Sequence, residues 1–243
     1  MSSLELLSDE GLRCDGRRPT EVRKMSCSFG VFDQSDGSAY VELGNTRVLA
    51  AVYGPHDIRG SRSKARHNRA IINCQYSMAT FSTSERKPRQ RGDYRSLEIT
   101  NNLREVFENA ILTELFPHSQ IDIFVEVLQS DGSNYSACVN AATLAVIHAG
   151  IPIKDVVCAC SASMVTDQPI VDVNYLEESI GSGPILTIAL LPKGKQILSM
   201  ESSGRMHSTV VPQVMESAIN GCQQILQVMK ESILSHVKSL NKQ

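Results

Sequence analysis

The sequence predicts an α+β fold in two lobes, on three observations. Strand-type runs gather in two groups, each followed by segments of helical periodicity; the turn-forming Gly150-Ile151-Pro152 divides them; and 42% hydrophobic content over 243 residues is enough for a sizeable core. The expected organisation is an N-terminal arm over 1–20, a first lobe over 21–152 and a second over 153–243 that ends in a long helix. With 5% aromatic residues and no Trp, that core is built mostly of Val, Ile, Leu and Ala. Function is therefore not expected to rest on an aromatic base-stacking platform.

The arm, GLRCDGRRPTEVRK, is polar and broken by Asp15-Gly16 and Pro19, so it reads as extended chain outside the core. VRKMSCSFGVF, GSAYVELG and TRVLAAVYG are β-type runs joined at Asp36-Gly37 and Gly44-Asn45, the pattern of an antiparallel meander. DIRGSRSKARHNR lacks apolar periodicity and reads as a loop, AIINCQYSMATF as a strand, and SERKPRQRGDYR, with Pro88 and Gly92, as a second loop. Ile99, Leu103, Val106, Phe107, Ala110, Ile111 and Leu115 then recur at helical spacing, with Asp93 as N-cap and Pro117 past the end. In IDIFVEVLQ, Ile121, Ile123, Val125 and Val127 alternate with Asp122, Phe124 and Glu126, as in a strand with one buried face. Residues 130–150, SDGSNYSACVNAATLAVIHAG, form a helix with a narrow stripe of small residues, stopped by Gly150 and Pro152. DVVCACSASMV, PIVDVN, PILTIALLP and KQILSM give four short strands, and a stripe from Val210 to Val237 gives the closing amphipathic helix.

Net charge is only −2, yet its distribution is uneven. Between Arg59 and Arg95 ten basic residues face two acidic ones, a formal +8, which leaves −10 on the rest of the chain. Such a block is the footprint of a polyanion-binding face, because Lys and Arg release condensed counterions from a phosphate backbone; the alternative is a pair of solvated loops. Seven scattered cysteines, mostly inside apolar runs, read as buried thiols in a reducing compartment. Cys158 and Cys160 lack a second ligand pair at zinc spacing and fit strand alternation, so no metal and no cofactor is expected. No apolar h-region opens the chain and no run approaches the roughly 20 apolar residues of a bilayer span. The expectation is a soluble, intracellular protein.

One site can be read from the residues. Gly132 and Ser133 fall where a strand passes into a helix, so free backbone N–H groups and the positive end of the helix dipole converge there, and a phosphate could bind. An ordinary capped helix end is the competing reading, and the neighbouring carboxylate of Asp131 would repel an anion.

RCDGRRPTEVRK, GSAYVELGNTRVLAAVYGP, FSTSERK and IDIFVEVLQSDGSNYSACVNAATLAVIHAGIP together resemble the RNase PH family over about residues 11–220. Within it they resemble the exosome ring subunits of the archaeal phosphorolytic type. The resemblance implies an RNase PH-like fold of mixed sheets and packed helices, set in a hetero-hexameric ring of RNase PH-like subunits with a central RNA channel. Further implied partners are RNA, RNA-binding cap subunits and a separate hydrolytic nuclease, with no membrane, in cytoplasm and nucleus including the nucleolus.

Active members of the family bind phosphate at the strand-to-helix turn and use it to cleave the last phosphodiester of an RNA 3′ end. Two anions must meet there, so cations, oriented N–H groups and an acid are needed. By resemblance, Arg95 keeps the arginine at the start of the helix after the basic loop. Ser133, Asn134 and Tyr135 stand where active members have a hydroxyl residue followed by arginine, and tyrosine supplies a neutral donor in place of a charged fork. Glu178 keeps one acidic position, but Pro184 occupies that of the catalytic aspartate, and proline transfers no proton. The implied protein is a non-catalytic ring subunit that supports 3′-to-5′ processing of rRNA and decay of mRNA. Arg62, Lys64, Arg66 and Arg95, with Arg86 and Arg91, are its RNA contacts, and each has a solvated or salt-bridged arginine or lysine as its alternative. The rival reading is a phosphate-dependent exoribonuclease that uses Arg95 and a site shared between subunits.

Overall fold

The computed structural model describes residues 6–8, 10–58, 68–83, 85–86, 93–165, 168–180 and 183–241. Arg62, Lys64, Arg66 and Arg91 therefore lie outside the described residues. The predicted meander forms β1 (Met25–Phe29), β2 (Gly37–Leu43) and β3 (Thr46–Asp57), paired antiparallel, with Gly44 at φ +59° in the tight turn between β2 and β3. β4 (Ile71–Met78) leads through α1 (Tyr94–Ala110) to β5 (Ser119–Gln129), which inserts between β3 and β4. β5 is antiparallel to β3 and parallel to β4, because the intervening helix returns the chain to the same end of the sheet. Ile121, Ile123, Val125 and Val127 all point into the core, as their alternation predicts.

α1 ends earlier than its apolar pattern. Asp93 sits at the N-cap position without a side-chain cap bond, and the helix stops at Ala110 although the pattern runs on to Leu115. The reason is tertiary: the Ala110 carbonyl accepts from Lys154 N–H and the Leu112 N–H donates to Pro152. Ile111 bridges to Ile153, and a 3-10 turn, Thr113–Leu115, takes up the remainder.

α2 (Asn134–His148) departs further from expectation, for it is buried from Tyr135 to Val146 with no solvent face. It lies between the first sheet, on β2, β3 and β5, and a second sheet that it meets at β6 (Cys158–Val165) and β8 (Ile185–Leu191). Small residues make that possible: a Cβ on Gly37 of β2 would fall 2.3 Å from the Ala145 carbonyl oxygen. One polar residue in this dry layer is fully used. Asn140 Nδ2 donates to the Ala159 carbonyl (3.0 Å) and its Oδ1 accepts from the Ala159 N–H (2.9 Å), fastening α2 to β6. Asn140→Ala should strand both backbone groups and cost about 2 kcal/mol in a denaturant titration at unchanged slope.

The second sheet has the order β7-β6-β8-β9, all antiparallel, with β7 at Gln168–Val171 and β9 at Gln196–Ser203. α4 (Val211–Leu240) covers its other face. On β6, Cys158 meets Met229 of α4 and Cys160 lies against Gly221, whereas Ala159 and Ser161 face α2, so the two cysteines do alternate along a strand. The burial stripe of α4 ends at Met229; Leu234 and Val237 are exposed because the helix outruns the sheet, and His236 stacks on Phe29 at 4.6 Å.

The arm has the irregular backbone expected of it, but it is not peripheral. The Arg13 guanidinium is buried in a fork with Glu177, with a further bond to the Val171 carbonyl (2.5 Å), and Arg23 is buried against Asp172. Glu177 belongs to α3 (Tyr175–Ile180), a short helix that the strand-like reading of PIVDVN and the segment after it did not anticipate. Its signal is a capping box: Glu177 N–H donates to Asn174 Oδ1 (2.9 Å) and Asn174 N–H donates to Glu177 Oε2 (3.0 Å). No helix among the described residues is long and apolar enough to cross a membrane.

Candidate nucleic-acid interface

The strand-to-helix turn before α2 is shaped by two residues in the left-handed region. Gly132 (φ +80°) lies so close to α3 that a Cβ would meet the Asn174 carbonyl carbon and the Val173 oxygen at 2.6 Å, and Ser133 follows at φ +53°. The Ser133 hydroxyl is bonded to the Val173 carbonyl (2.7 Å) and to the Ser161 hydroxyl, so it braces the turn against the second sheet. Asn134 Nδ2 donates to Ser130 Oγ (2.7 Å), while its Oδ1 is buried without a partner among the described residues. Asp131 does not face the turn's mouth: its carboxylate takes the Asn45 amide (3.1 Å) and lies 3.8 Å from Arg23. The repulsion expected of Asp131 is thus largely neutralised by a cation that sequence spacing did not reveal.

These residues open onto a cleft of about 90 Å³ between the two sheets. α1 supplies Arg95 and Ile99, the turn Ser133, Asn134 and Tyr135, α3 Glu178, and β8 and β9 supply Thr187, Glu201 and Ser203. Arg95, Ser133, Asn134, Tyr135 and Glu178, far apart in sequence, are brought together in its lining. Pro184 precedes the cleft residue Ile185, and its carbonyl accepts from Ser163 Oγ (3.1 Å). Arg86 is exposed outside this cleft.

The cleft's charge is the informative feature. Arg95 is 79% exposed, and its nearest guanidinium nitrogen is 3.9 Å from Glu178, a loose pair of small energetic weight. Tyr135 is only 8% exposed; its hydroxyl reaches Ser199 Oγ at 3.4 Å, and burial pushes its pKa up to about 12, so it stays neutral. Glu201, on β9, adds a second carboxylate to the cleft. Burial and then the neighbouring Glu98 raise its pKa above the ordinary carboxylate value, against the opposing pull of Arg95. Among the described residues, then, one arginine faces Glu178, Glu201 and Glu98, an arrangement that disfavours a phosphate ion. Nothing local marks Glu201 in the sequence, because β9 reaches the cleft only through sheet pairing.

A larger concavity of about 310 Å³ lies on the first sheet, lined by Phe32, Leu49, Ala51, Phe124 and Leu128 with Glu126 as its ionisable residue. Tyr53 meets Phe124 edge-on beside it. Among the described residues it has no Lys, Arg or His in its lining, and what they form is an apolar surface.

Residues 21–152 match the family described as "3' exoribonuclease family, domain 1", RNase PH, and residues 155–221 match its domain 2. The chain is 54% identical to the exosome complex component RRP41 of Bos taurus over 98% of this chain and 97% of that one. It is 43% identical to the RRP41 homolog of Arabidopsis thaliana, covering 98% of each chain, and 39% identical to the archaeal Rrp41 of Methanopyrus kandleri, covering 94% of each. Among solved structures it is similar to rice Rrp46, with a TM-score of 0.79 and 25% identity over 90% of this chain and 99% of that one. It also shares the fold of a chain in the Archaeoglobus fulgidus exosome with RNA bound to the active site, at a TM-score of 0.78 and 21% identity over 90% and 92%.

Proposed function

Because the chain belongs to the RNase PH (3′ exoribonuclease) family, we propose that it is a non-catalytic ring subunit of an RNA exosome. In this reading it scaffolds a hetero-hexameric ring with sister RNase PH-like subunits and holds RNA in the channel, while a separate hydrolytic nuclease cuts. Cap subunits complete the partners, and rRNA maturation and mRNA decay in nucleus, nucleolus and cytoplasm are the processes served. The observation that carries the reading is the turn itself: buried, neutral Tyr135 stands on it, and Glu178 and Glu201 flank Arg95. Phosphorolysis needs positive charge where two phosphates meet, and among the described residues this cleft has the opposite balance. The RNA contacts then fall to Arg95 and Arg86 together with Arg62, Lys64, Arg66 and Arg91, whose task requires charge but no phosphate pocket.

One feature favours the enzyme reading: Glu201, with its raised pKa, holds a proton more readily than an ordinary carboxylate beside the exposed Arg95. The purified native ring, incubated with 3′-labelled RNA with and without inorganic phosphate, separates the two. Silence predicts no phosphate-dependent nucleoside diphosphate, because the loss of a phosphate-binding charge and of an acid each lowers the rate by orders of magnitude. Diphosphate release that Arg95→Glu abolishes would overturn the proposal.

A further inference from the structure

His148, the last residue of α2, uses its ring as an acceptor. Its Nδ1 takes a hydrogen bond from the Ser38 N–H of β2 at 3.1 Å, so the neutral imidazole carries its proton on Nε2. Ser38 is 0% exposed and ties the entry to β2 together: its carbonyl accepts from the Gly30 N–H (3.1 Å) and its Oγ from the Phe32 N–H (3.0 Å). Water does not replace an acceptor at a buried N–H, so losing the bond to His148 carries a desolvation cost. Phe29 of β1 brings the end of α4 to the same place. Its ring centroid lies 4.6 Å from that of His236, in a stack, and 6.0 Å from that of His148, and the two imidazoles are 5.2 Å apart. His236 is the last residue of α4 that is not exposed, since 237–240 all face solvent. Three rings from three elements thus form the final anchorage of a 30-residue helix.

We propose that His148 is an acid-operated latch: neutral, it holds the start of β2 and the last turns of α4 at the end of α2, and protonated it releases them. A proton taken up from solvent at Nδ1 sets a donor against the Ser38 N–H, which breaks the bond, and puts positive charge beside His236. The groups that face His148 are few. β1 presents Phe29 and Gly30, β2 presents the Ser38 N–H, and α4 presents His236, its one charged neighbour of consequence among the described residues. Cys27 of β1 meets Ser232 of α4, and burial keeps it a thiol. In the turn before β2, Asp33 is exposed and Asp36 accepts from the Gly54 N–H (2.8 Å). The face of Phe29 would stabilise a charged His236, so the acceptor bond of His148, not the ring stack, is what acid breaks. Burial and then His236 hold the His148 imidazole below the ordinary histidine value. The neutral form therefore contributes stability that is fully present above the unfolded value, about 6.5, and is lost as pH falls through the lower folded value.

The test is an NMR titration of the isotope-labelled full-length chain from about pH 8 to about pH 5, with amide exchange followed at each step. The Ser38 amide proton should shift together with the His148 imidazole, at one midpoint below about 6.5. Across that midpoint, exchange in residues 232–240, corrected for its intrinsic pH dependence, should accelerate roughly tenfold. His148→Asn presents Oδ1 where Nδ1 stood and does not titrate, so the end of α4 should stay protected through the whole range. His236→Asn removes the second charge and should move the His148 midpoint up toward the ordinary value. A Ser38 amide that ignores the titration of His148 would overturn the latch, as would protection in 232–240 that stays constant through it. Both are read on wild type and hold whatever the variants do. Acid loss of protection as large in a folded His148→Asn chain as in wild type would overturn it too, by assigning the release to another group.

Discussion

Asp172→Ala is expected to destabilise the protein by about 3–5 kcal/mol, because it takes from the buried Arg23 guanidinium its closest counter-charge and leaves it the more distant Asp131 carboxylate at 3.8 Å. Asp172, just after β7, is the hub that holds Arg17 and Arg23 of the segment before β1. Arg23 Nε and Nη2 donate to its two oxygens at 2.9 and 2.8 Å, the Arg23 N–H adds a bond of 2.8 Å, and Arg17 lies 3.5 Å away. Burial by itself would raise the pKa of Asp172, but the hydrogen bonds and charge of Arg23, with Arg17, outweigh it and hold the group below the ordinary value. The pH dependence follows with its sign. A carboxylate whose folded pKa is depressed contributes stability that is fully present above the unfolded value, near 4, and is lost as pH falls through the folded value. Denaturant midpoints of wild type should therefore drop as pH is lowered below about 4, and Asp172→Ala should flatten that slope. A variant that matches wild-type stability at pH 7 would remove Asp172 from its proposed place.

Gly132→Ala is expected to cost about 3 kcal/mol or more and to displace α3 from the cleft. Two costs combine: a side chain at φ +80° is strained, and its Cβ would press at 2.6 Å on backbone atoms of Val173 and Asn174, which cannot rotate away as a side chain could. The fold's response is to push α3 outward, which carries Glu178 away from Arg95 and slackens the bond between Ser133 and Val173. Thermal unfolding of the full-length chain should fall by roughly 6–12 °C, and hydrogen exchange should accelerate locally in α3 before the first sheet responds. Unaltered exchange in α3 would show that the turn accommodates a methyl group and that its close approach is dispensable.

Sequence periodicity reads one neighbouring surface at a time, and its successes and failures here follow from that. Alternation in β5 was legible because one face of that strand meets the core. The small residues of residues 130–150 read as a stripe, whereas α2 has a sheet on each side and is buried around its circumference. α1 was read as too long because the bonds that end it come from residues 152–154. α3 was overlooked although Asn174 and Glu177 carry a capping-box spacing, because its six residues are too few to establish a period. At the candidate site, Arg95, Tyr135 and Glu178 could be named from motif resemblance, but Glu201 could not, since it arrives from the edge strand of the second sheet.

By itself, then, the amino-acid sequence determined the chemical character of this protein: a basic segment on an acidic chain, and a phosphate-type turn with Tyr135 and Pro184 where charge and acid are expected by resemblance. These are properties of residue identity and survive any arrangement. The tertiary structure decided which groups meet: Glu178 and Glu201 around Arg95, and Asp172 beneath Arg23. Electrostatic and stacking energies depend on distance and burial, and only sheet pairing and helix packing set distance and burial between residues so far apart in the chain.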